Sequence, residues 1–160
     1  MKRSYILLVA LGAFLFVGWA VFRPELLFIN QHVNESFPES KNGMRATANR
    51  VLASGEFKSV AHETKGLAAV HQLQDGGRVL RLTNFETSNG PDVRVLLVAA
   101  KDAMDSESVS QAGYVELGKL KGNIGDQNYD VPAGLDLSKY RAVTIWCNRF
   151  NVNFGTAPLN

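Results

Sequence analysis

Short runs of alternating apolar and polar residues, separated by turn signals, fill the chain from Gly55 to its end. The runs cover residues 56–62, 67–73, 78–85, 93–100, 114–120, 128–131, 143–148 and 150–154. Between them we predict only a helical turn around Asp105 to Ser110, and no segment is long enough for the crossover helix that parallel strands need. The pattern therefore predicts an all-β domain, an antiparallel β-sandwich or barrel of about eight short strands.

One turn and one run carry additional information. Asp75-Gly76-Gly77 is typical of a hairpin turn and comes directly before the run that begins at Arg78. The run from Val93 to Ala100 is apolar on both faces apart from Arg94, so we expect it to be a central strand.

The amino terminus has a different character. Lys2 and Arg3 precede an uncharged apolar run of 18 residues, Tyr5 to Phe22. A helix of that length spans about 27 Å, close to the roughly 30 Å hydrocarbon core of a bilayer. We therefore predict a signal anchor, a transmembrane helix over residues 1–23, with a cleaved signal peptide as the alternative. The positive-inside rule places Lys2 and Arg3 in the cytoplasm and the rest of the chain in the periplasm or at the cell exterior.

Residues 24–54 join this helix to the β domain, which is predicted over residues 55–160. Their polar composition around Pro38 and Gly43 is typical of a short stalk. The good helix formers from Met44 to Ala53, followed by Gly55, indicate a possible short helix within it.

The charge balance gives no indication of a nucleic-acid partner. The whole chain has 17 basic and 15 acidic residues. Residues 1–23 hold three of the basic ones, so 14 remain against 15 acidic residues, and the net charge of the rest is −1. A basic face of the kind that binds nucleic acid is therefore not expected.

The lone cysteine lies in an alternating strand near the end of the chain. Val143, Ile145 and Cys147 fall on one face of that strand, and Thr144 and Trp146 fall on the other. A chain with one cysteine cannot form an intrachain disulfide. Cys147 is therefore a buried core residue, a ligand, or a thiol that forms an intermolecular disulfide with a partner, and these interpretations stay open.

From Gly55 to Leu159 the chain resembles a known module, the DM-thirteen domain, which occurs alone or beside DOMON domains. The residues that carry the resemblance are Gly55-Glu56-Phe57, His62 with Gly66, Leu82-Thr83-Asn84-Phe85, Asn89-Gly90-Pro91-Asp92-Val93, the stretch 117–129, Val131-Pro132, Ile145-Trp146-Cys147, Phe150, and Phe154-Gly155-x-Ala157.

The resemblance implies a β-rich fold and a redox or electron-transfer role centred on Cys147. Together with the predicted anchor, it indicates a membrane-anchored, extracytoplasmic redox domain that exchanges electrons with a partner protein. The alternative is a non-catalytic binding or scaffold module at the cell surface or in the periplasm, with Cys147 as a structural core residue.

One thiol cannot cycle alone as a dithiol and disulfide, so redox chemistry needs a second sulfur, a metal or an organic cofactor. A blue-copper ligand set would recruit His62, His71 and Met104, but no His or Met follows Cys147 at the usual spacing. Noncovalent haem on His or Met is chemically adequate, whereas covalent haem is excluded because Cys-x-x-Cys-His is absent. The cofactor therefore stays unassigned.

If Cys147 serves redox chemistry from a buried position, a cavity must meet its strand. We predict a small pocket formed by Trp146, Phe150, Asn89, Asp92 and His62. No order of Ser, His and Asp or of Cys and His indicates a catalytic arrangement, so we predict no catalytic residue, no metal site and no enzymatic activity.

Overall fold

The computed structural model describes residues 2–22, 29–38 and 50–160. Within them the chain forms two helices and nine strands. In chain order these are α1 (Lys2–Phe22), β1 (Arg50–Glu56), β2 (Lys58–Ser59), β3 (Lys65–Gln72), β4 (Arg78–Glu86), β5 (Val93–Val98), α2 (Ser106–Ala112), β6 (Tyr114–Lys119), β7 (Gln127–Val131), β8 (Ala142–Cys147) and β9 (Val152–Pro158).

The strands form two sheets. One has the order β1-β3-β4-β7 and the other the order β2-β9-β8-β5-β6. All neighbouring strands within each sheet are antiparallel. The predicted all-β, antiparallel class is confirmed, and the arrangement is that of a sandwich.

The main core fills the space between the two sheets. Leu80 and Leu82 of β4 alternate inward from one sheet, and Val95 and Leu97 of β5 alternate inward from the other. All four side chains are 0% exposed, and each contributes roughly 1.5–3 kcal/mol by leaving water. Period-two alternation therefore produces the inner faces, as the sequence predicts.

A second, smaller core lies on the outer face of the five-stranded sheet, where α2 and the segment before it cover the strands. Leu96, Val98 and Trp146 face this side, together with Val109 of α2. Asp105 caps α2 by accepting a hydrogen bond from the Ser108 N–H at 2.7 Å. Because β5 is buried on both faces and lies between β8 and β6, its predicted central position is confirmed.

The predicted hairpin joins β3 to β4. The Leu73 N–H donates to the Gly77 carbonyl at 2.8 Å, and Gly76 has a φ of 85°. That left-handed conformation favours glycine.

The sequence prediction differs from the structure at the start of the domain. β1 begins at Arg50, so residues 50–53 form a strand and the predicted helix over Met44 to Ala53 is wrong there; the rest of that helix lies outside the described residues. The reason is tertiary: β1 pairs with β3 from Arg50 to Glu56, and such pairing overrides a weak helix propensity.

The described part of the predicted stalk, residues 29–38, packs on the domain. The Val33 N–H donates to the Ile124 carbonyl at 2.9 Å, and the Glu35 N–H donates to the Asp126 carbonyl at 2.9 Å. We call residues 29–38 the strap.

The amino-terminal segment forms a helix, α1, as predicted. Among residues 2–22, 29–38 and 50–160, however, no helix is both long and apolar enough to cross a membrane.

Candidate functional site

Cys147 ends β8 and lies inside the sandwich. Its exposed fraction is 0% and its thiol is free. It lies opposite Val93 of β5 and Val152 of β9. Cys147, Val143 and Ile145 share one face, as predicted, and the structure shows that this face is the inner one. The intermolecular-disulfide interpretation needs a thiol near the surface, and because Cys147 is fully buried, another chain's sulfur reaches it only after the residues that cover it move.

A cleft of about 180 Å³ lies at the start of β5. We call it the amide cleft because three of its residues carry side-chain amides. Its lining consists of Gln31, Ser88, Asn89, Gly90, Pro91, Asp92, Val93, Lys119, Leu120, Gly122 and Asn123. The volume is below the roughly 300–1,000 Å³ of pockets that hold drug-sized ligands, so the cleft encloses only a small group.

Val93 connects the amide cleft to the thiol. The Asn148 N–H donates to the Asp92 carbonyl at 2.8 Å, so these two residues are a hydrogen-bonded pair of the antiparallel ladder. The next pair, Val93 and Cys147, is therefore a non-hydrogen-bonded pair, in which facing Cα atoms lie about 4.5 Å apart and side chains are closest. Val93 thus lines the cleft and also faces Cys147.

Charged side chains tie the rim of the cleft to the end of β8. Asp92 accepts hydrogen bonds from Arg94 Nε at 2.7 Å and from Asn148 Nδ2 at 3.1 Å. Arg94 also pairs with Glu116. The hydrogen bond from Arg94 is the main cause that lowers the pKa of Asp92, so Asp92 is ionised at neutral pH. Its two contacts fix the loop before β5 against the residue that follows Cys147.

Two aromatic rings lie at the same end of the sandwich. His62 packs on Phe154 with 3.9 Å between ring centroids, and Phe154 belongs to the same core as Cys147. A Cβ on Gly90 would lie 2.7 Å from Val93 Cγ2 and 3.1 Å from Phe154 Cζ. Glycine at position 90 therefore allows the loop to approach both side chains.

The structure brings together only some of the predicted pocket residues. Asn89 and Asp92 line the amide cleft, whereas His62, Trp146 and Phe150 do not. Trp146 is 3% exposed and faces the smaller core on the outer side of the sheet. Phe150 lies in the turn between β8 and β9 and is 63% exposed.

The residues considered for copper are spread over the fold. His71 lies on β3, in the other sheet from Cys147, and its ring meets Phe37 edge-on at 5.0 Å. Burial and the nearby Arg81 lower the pKa of His71. Met104 lies in the segment before α2. Where the structure describes side chains, no three His, Cys, Asp or Glu residues are close enough to hold a metal ion.

Sequence reasoning missed the opposite wall of the amide cleft. Asn123 forms this wall and is 5% exposed. Its Nδ2 donates to Asn30 Oδ1 at 3.0 Å and to the Thr87 carbonyl at 3.1 Å. Its Oδ1 accepts from the Gln31 N–H at 2.7 Å. Asn89 Nδ2 also donates to Asn30 Oδ1, at 3.0 Å. The glycines that flank the Asn123 loop were the signal that backbone approaches closely here, but the sequence did not indicate which segment approaches.

These features define a small antiparallel β-sandwich that holds a single free thiol in its core, one residue away from a polar cleft. The family model described as "Electron transfer DM13" matches residues 56–159, and the chain belongs to this family. Membership gives the protein a redox role in general terms. Searches among curated proteins and among solved structures found no match.

Proposed function

We propose that this protein is an extracytoplasmic redox domain in which Cys147 is the redox centre and the amide cleft is the place where a redox partner reaches it. The observation that carries the proposal is the position of Val93, which lines the cleft and faces Cys147 across the ladder. Because one thiol cannot cycle alone, the partner must supply the second sulfur, the metal or the cofactor.

Burial determines how Cys147 would act. A thiol with 0% exposure reacts with a partner only when the side chains that bury it move aside in a local opening. Val93 is 8% exposed, lines the cleft and lies opposite Cys147, so displacement of its side chain would open an approach from the cleft to the thiol.

This proposal is tested by the reaction of the native thiol with a small disulfide reagent. We expect one thiol per chain to react slowly in the wild type and about tenfold faster in Val93→Ala. Lowering the free energy of the opening by about 1.4 kcal/mol raises the population of the open state tenfold. Val143→Ala is the matched control: it removes the same two methyl groups from the same core, but residue 143 does not line the cleft.

A thiol that stays unreactive until the protein unfolds, in the wild type as well as in Val93→Ala, would contradict the proposal. It would favour the second candidate, a binding or scaffold module with a structural cysteine, which the complete burial of Cys147 supports. That candidate predicts that Cys147→Ala costs about 1–3 kcal/mol of stability, as a small buried truncation does. It also predicts that Cys147→Ala leaves electron transfer to any partner unchanged.

The extracytoplasmic location is part of the proposal and rests on α1. Its large apolar side chains, from Tyr5 to Trp19, are exposed, and an apolar surface of this kind is usually covered by lipid or by another protein. We propose that α1 attaches the domain to the outer face of a membrane through this apolar surface. We expect the chain to stay with membranes through an alkaline wash and the domain to be digested by protease added from outside. Recovery of the chain in the soluble fraction would refute the attachment.

A further inference from the structure

The strap lies outside the part of the chain that the family model matches, yet it is hydrogen-bonded to the domain like an added strand. Its residues 31, 33 and 35 alternate as hydrogen-bonding positions, while His32 and Asn34 between them are exposed. The backbone bonds are Ile124 N–H to Gln31 carbonyl at 3.2 Å, Val33 N–H to Ile124 carbonyl at 2.9 Å, and Glu35 N–H to Asp126 carbonyl at 2.9 Å. This alternation is that of an extended peptide, which meets the loop before β7 in an isolated parallel bridge with His32 opposite Ile124.

Two glycines make room for this strand. A Cβ on Gly122 would lie 2.5 Å from the Gln31 carbonyl oxygen, and a Cβ on Gly125 would lie 2.0 Å from the Val33 carbonyl oxygen. Both obstacles would be backbone atoms, which a side-chain rotation cannot relieve. The two glycines therefore form the floor of a groove whose depth suits only a main chain.

A carboxylate-binding pocket lies at the end of the groove. Lys121 Nζ donates to the two Glu35 carboxylate oxygens at 2.7 and 3.0 Å. The Asn128 N–H donates to Glu35 Oε2 at 2.7 Å, and Asn128 Nδ2 donates to the same oxygen at 3.3 Å. Arg81 Nη1 donates to the Glu35 carbonyl at 3.1 Å. Desolvation raises the pKa of Glu35, but the hydrogen bonds from Lys121 and Asn128 outweigh it and lower that pKa.

The charges around this pocket favour an acidic side chain. Of the two cations at Glu35, Arg81 is already paired with Asp126 at 2.6 Å. Lys121 is paired with Glu35 itself. Loss of the Glu35 carboxylate would leave the Asn128 N–H without its acceptor, while Lys121 Nζ would keep its hydrogen bond to the Asn128 carbonyl at 2.7 Å but lose its carboxylate partner. Hydrogen bonds that involve a charged group are the stronger ones.

We propose that the loop from Gly122 to Asp126 and the edge of β7 form a strand-binding groove selective for an extended segment with a glutamate at the position of Glu35. The strap is the in-chain ligand of this groove, and a segment of the same chemistry on another molecule can replace it. The inference does not depend on a redox role for Cys147.

Exchange of the strap would alter the amide cleft. Asn30 accepts hydrogen bonds from Asn89 and Asn123, and Gln31 forms part of the cleft wall. A strap that leaves the groove therefore removes one wall of the cleft beside Val93. The groove is in this way a surface through which an acidic partner strand controls access to the cleft.

A labelled peptide tests the proposal in the full chain. The probe is a fluorescein-labelled peptide with the sequence of residues 29–38, titrated with the protein in detergent and followed by fluorescence polarisation. In the wild-type chain the tethered strap competes at a high effective concentration, so binding is weak. In the Glu35→Gln chain the tethered strap binds the groove less tightly and competes less. We therefore expect the intact peptide to bind this chain about tenfold more tightly than the wild type, which corresponds to about 1.4 kcal/mol of binding free energy.

Three comparisons make the result specific. Glu107→Gln in the chain changes an exposed glutamate on α2 and should leave peptide binding at the wild-type level. A peptide that carries Glu35→Gln should bind neither the wild-type chain nor the Glu35→Gln chain. A chain that carries both Glu35→Gln and Lys121→Met should bind the intact peptide without the tenfold gain in affinity. Equal binding of the intact peptide to the wild-type and Glu35→Gln chains, or equal binding of the two peptides, would overturn the proposal.

Discussion

Replacing Gly55 by alanine is expected to lower the free energy of unfolding by about 3 kcal/mol, at the upper end of what overpacking usually costs. A Cβ at this position would lie 1.9 Å from the Pro158 carbonyl oxygen and 2.8 Å from its carbon. Both are backbone atoms, so relief requires that β1 and the C-terminal strand move apart. Ser54 and Asn160 hold these segments together through N–H to carbonyl bonds of 3.2 and 3.0 Å, and the movement would weaken both.

The measurement is thermal and denaturant unfolding of the purified chain. For a domain of this size, 3 kcal/mol corresponds to a fall in Tm of roughly 12 °C or more. Gly134→Ala is the matched control, because no atom beyond its own residue and its two chain neighbours lies within 4 Å of its added Cβ, and its φ is not positive. We expect that control to stay within about 0.5 kcal/mol of the wild type. An unchanged Tm for Gly55→Ala would mean that the C-terminal strand does not close against β1 as described.

Replacing Gln127 by alanine is expected to cost about 3–5 kcal/mol, because it removes a buried side chain and the partner of several polar groups. Gln127 is 0% exposed. Its Nε2 donates to the Gly122 carbonyl at 2.9 Å, and its Oε1 accepts from the Tyr129 hydroxyl at 2.7 Å and from the Lys121 N–H at 3.1 Å. After the change the Gly122 carbonyl and the Tyr129 hydroxyl proton lose this partner inside the protein.

The same side chain shapes the loop from Gly122 to Asp126, which lines the amide cleft and receives the strap. We therefore expect hydrogen exchange at Val33 and Glu35 to accelerate in Gln127→Ala, in addition to the loss of stability. Gln111→Ala is the control, since Gln111 is exposed on α2 and donates only to Glu107 on the same helix. If Gln127→Ala unfolds at the same denaturant concentration as this control, the buried network is not a source of stability.

The strand pattern could be predicted from sequence because it depends on neighbouring residues. β4, β5 and β6 begin at Arg78, Val93 and Tyr114, the residues that alternation and turn signals indicate. The face that Cys147 shares with Val143 and Ile145 was also predictable, since side chains at every second position of a strand point to the same side.

The alternation of side chains along β8 also argued against a pocket that contains both Trp146 and Cys147. Trp146 is adjacent to Cys147 in sequence and therefore points to the opposite side of the sheet, into the smaller core beside Val109. Phe150 follows the end of β8 and is exposed in a turn. Adjacent positions along a strand do not share a cavity, so sequence proximity to the cysteine was misleading.

The amide cleft could not be predicted, because its walls come from distant parts of the chain. Gln31 and Asn123, which hydrogen-bond across one wall, are 92 positions apart. Polar composition alone made residues 24–54 look like a stalk, and composition does not indicate a partner. The contact of the strap depends on how the loop after β6 is folded, which is a property of the assembled sandwich.

The sequence by itself determined the class of fold, the strands from β3 onward and the side-chain face that Cys147 shares with Val143 and Ile145, because these follow from local periodicity and turn chemistry. Only the tertiary structure decided what stands next to the thiol. The pairing of β5 with β8 places Val93 opposite Cys147, and the packing of the strap against Gly122 and Gly125 closes the cleft that Val93 lines. Pairing and close backbone approach are long-range contacts, which a local pattern of residues does not encode.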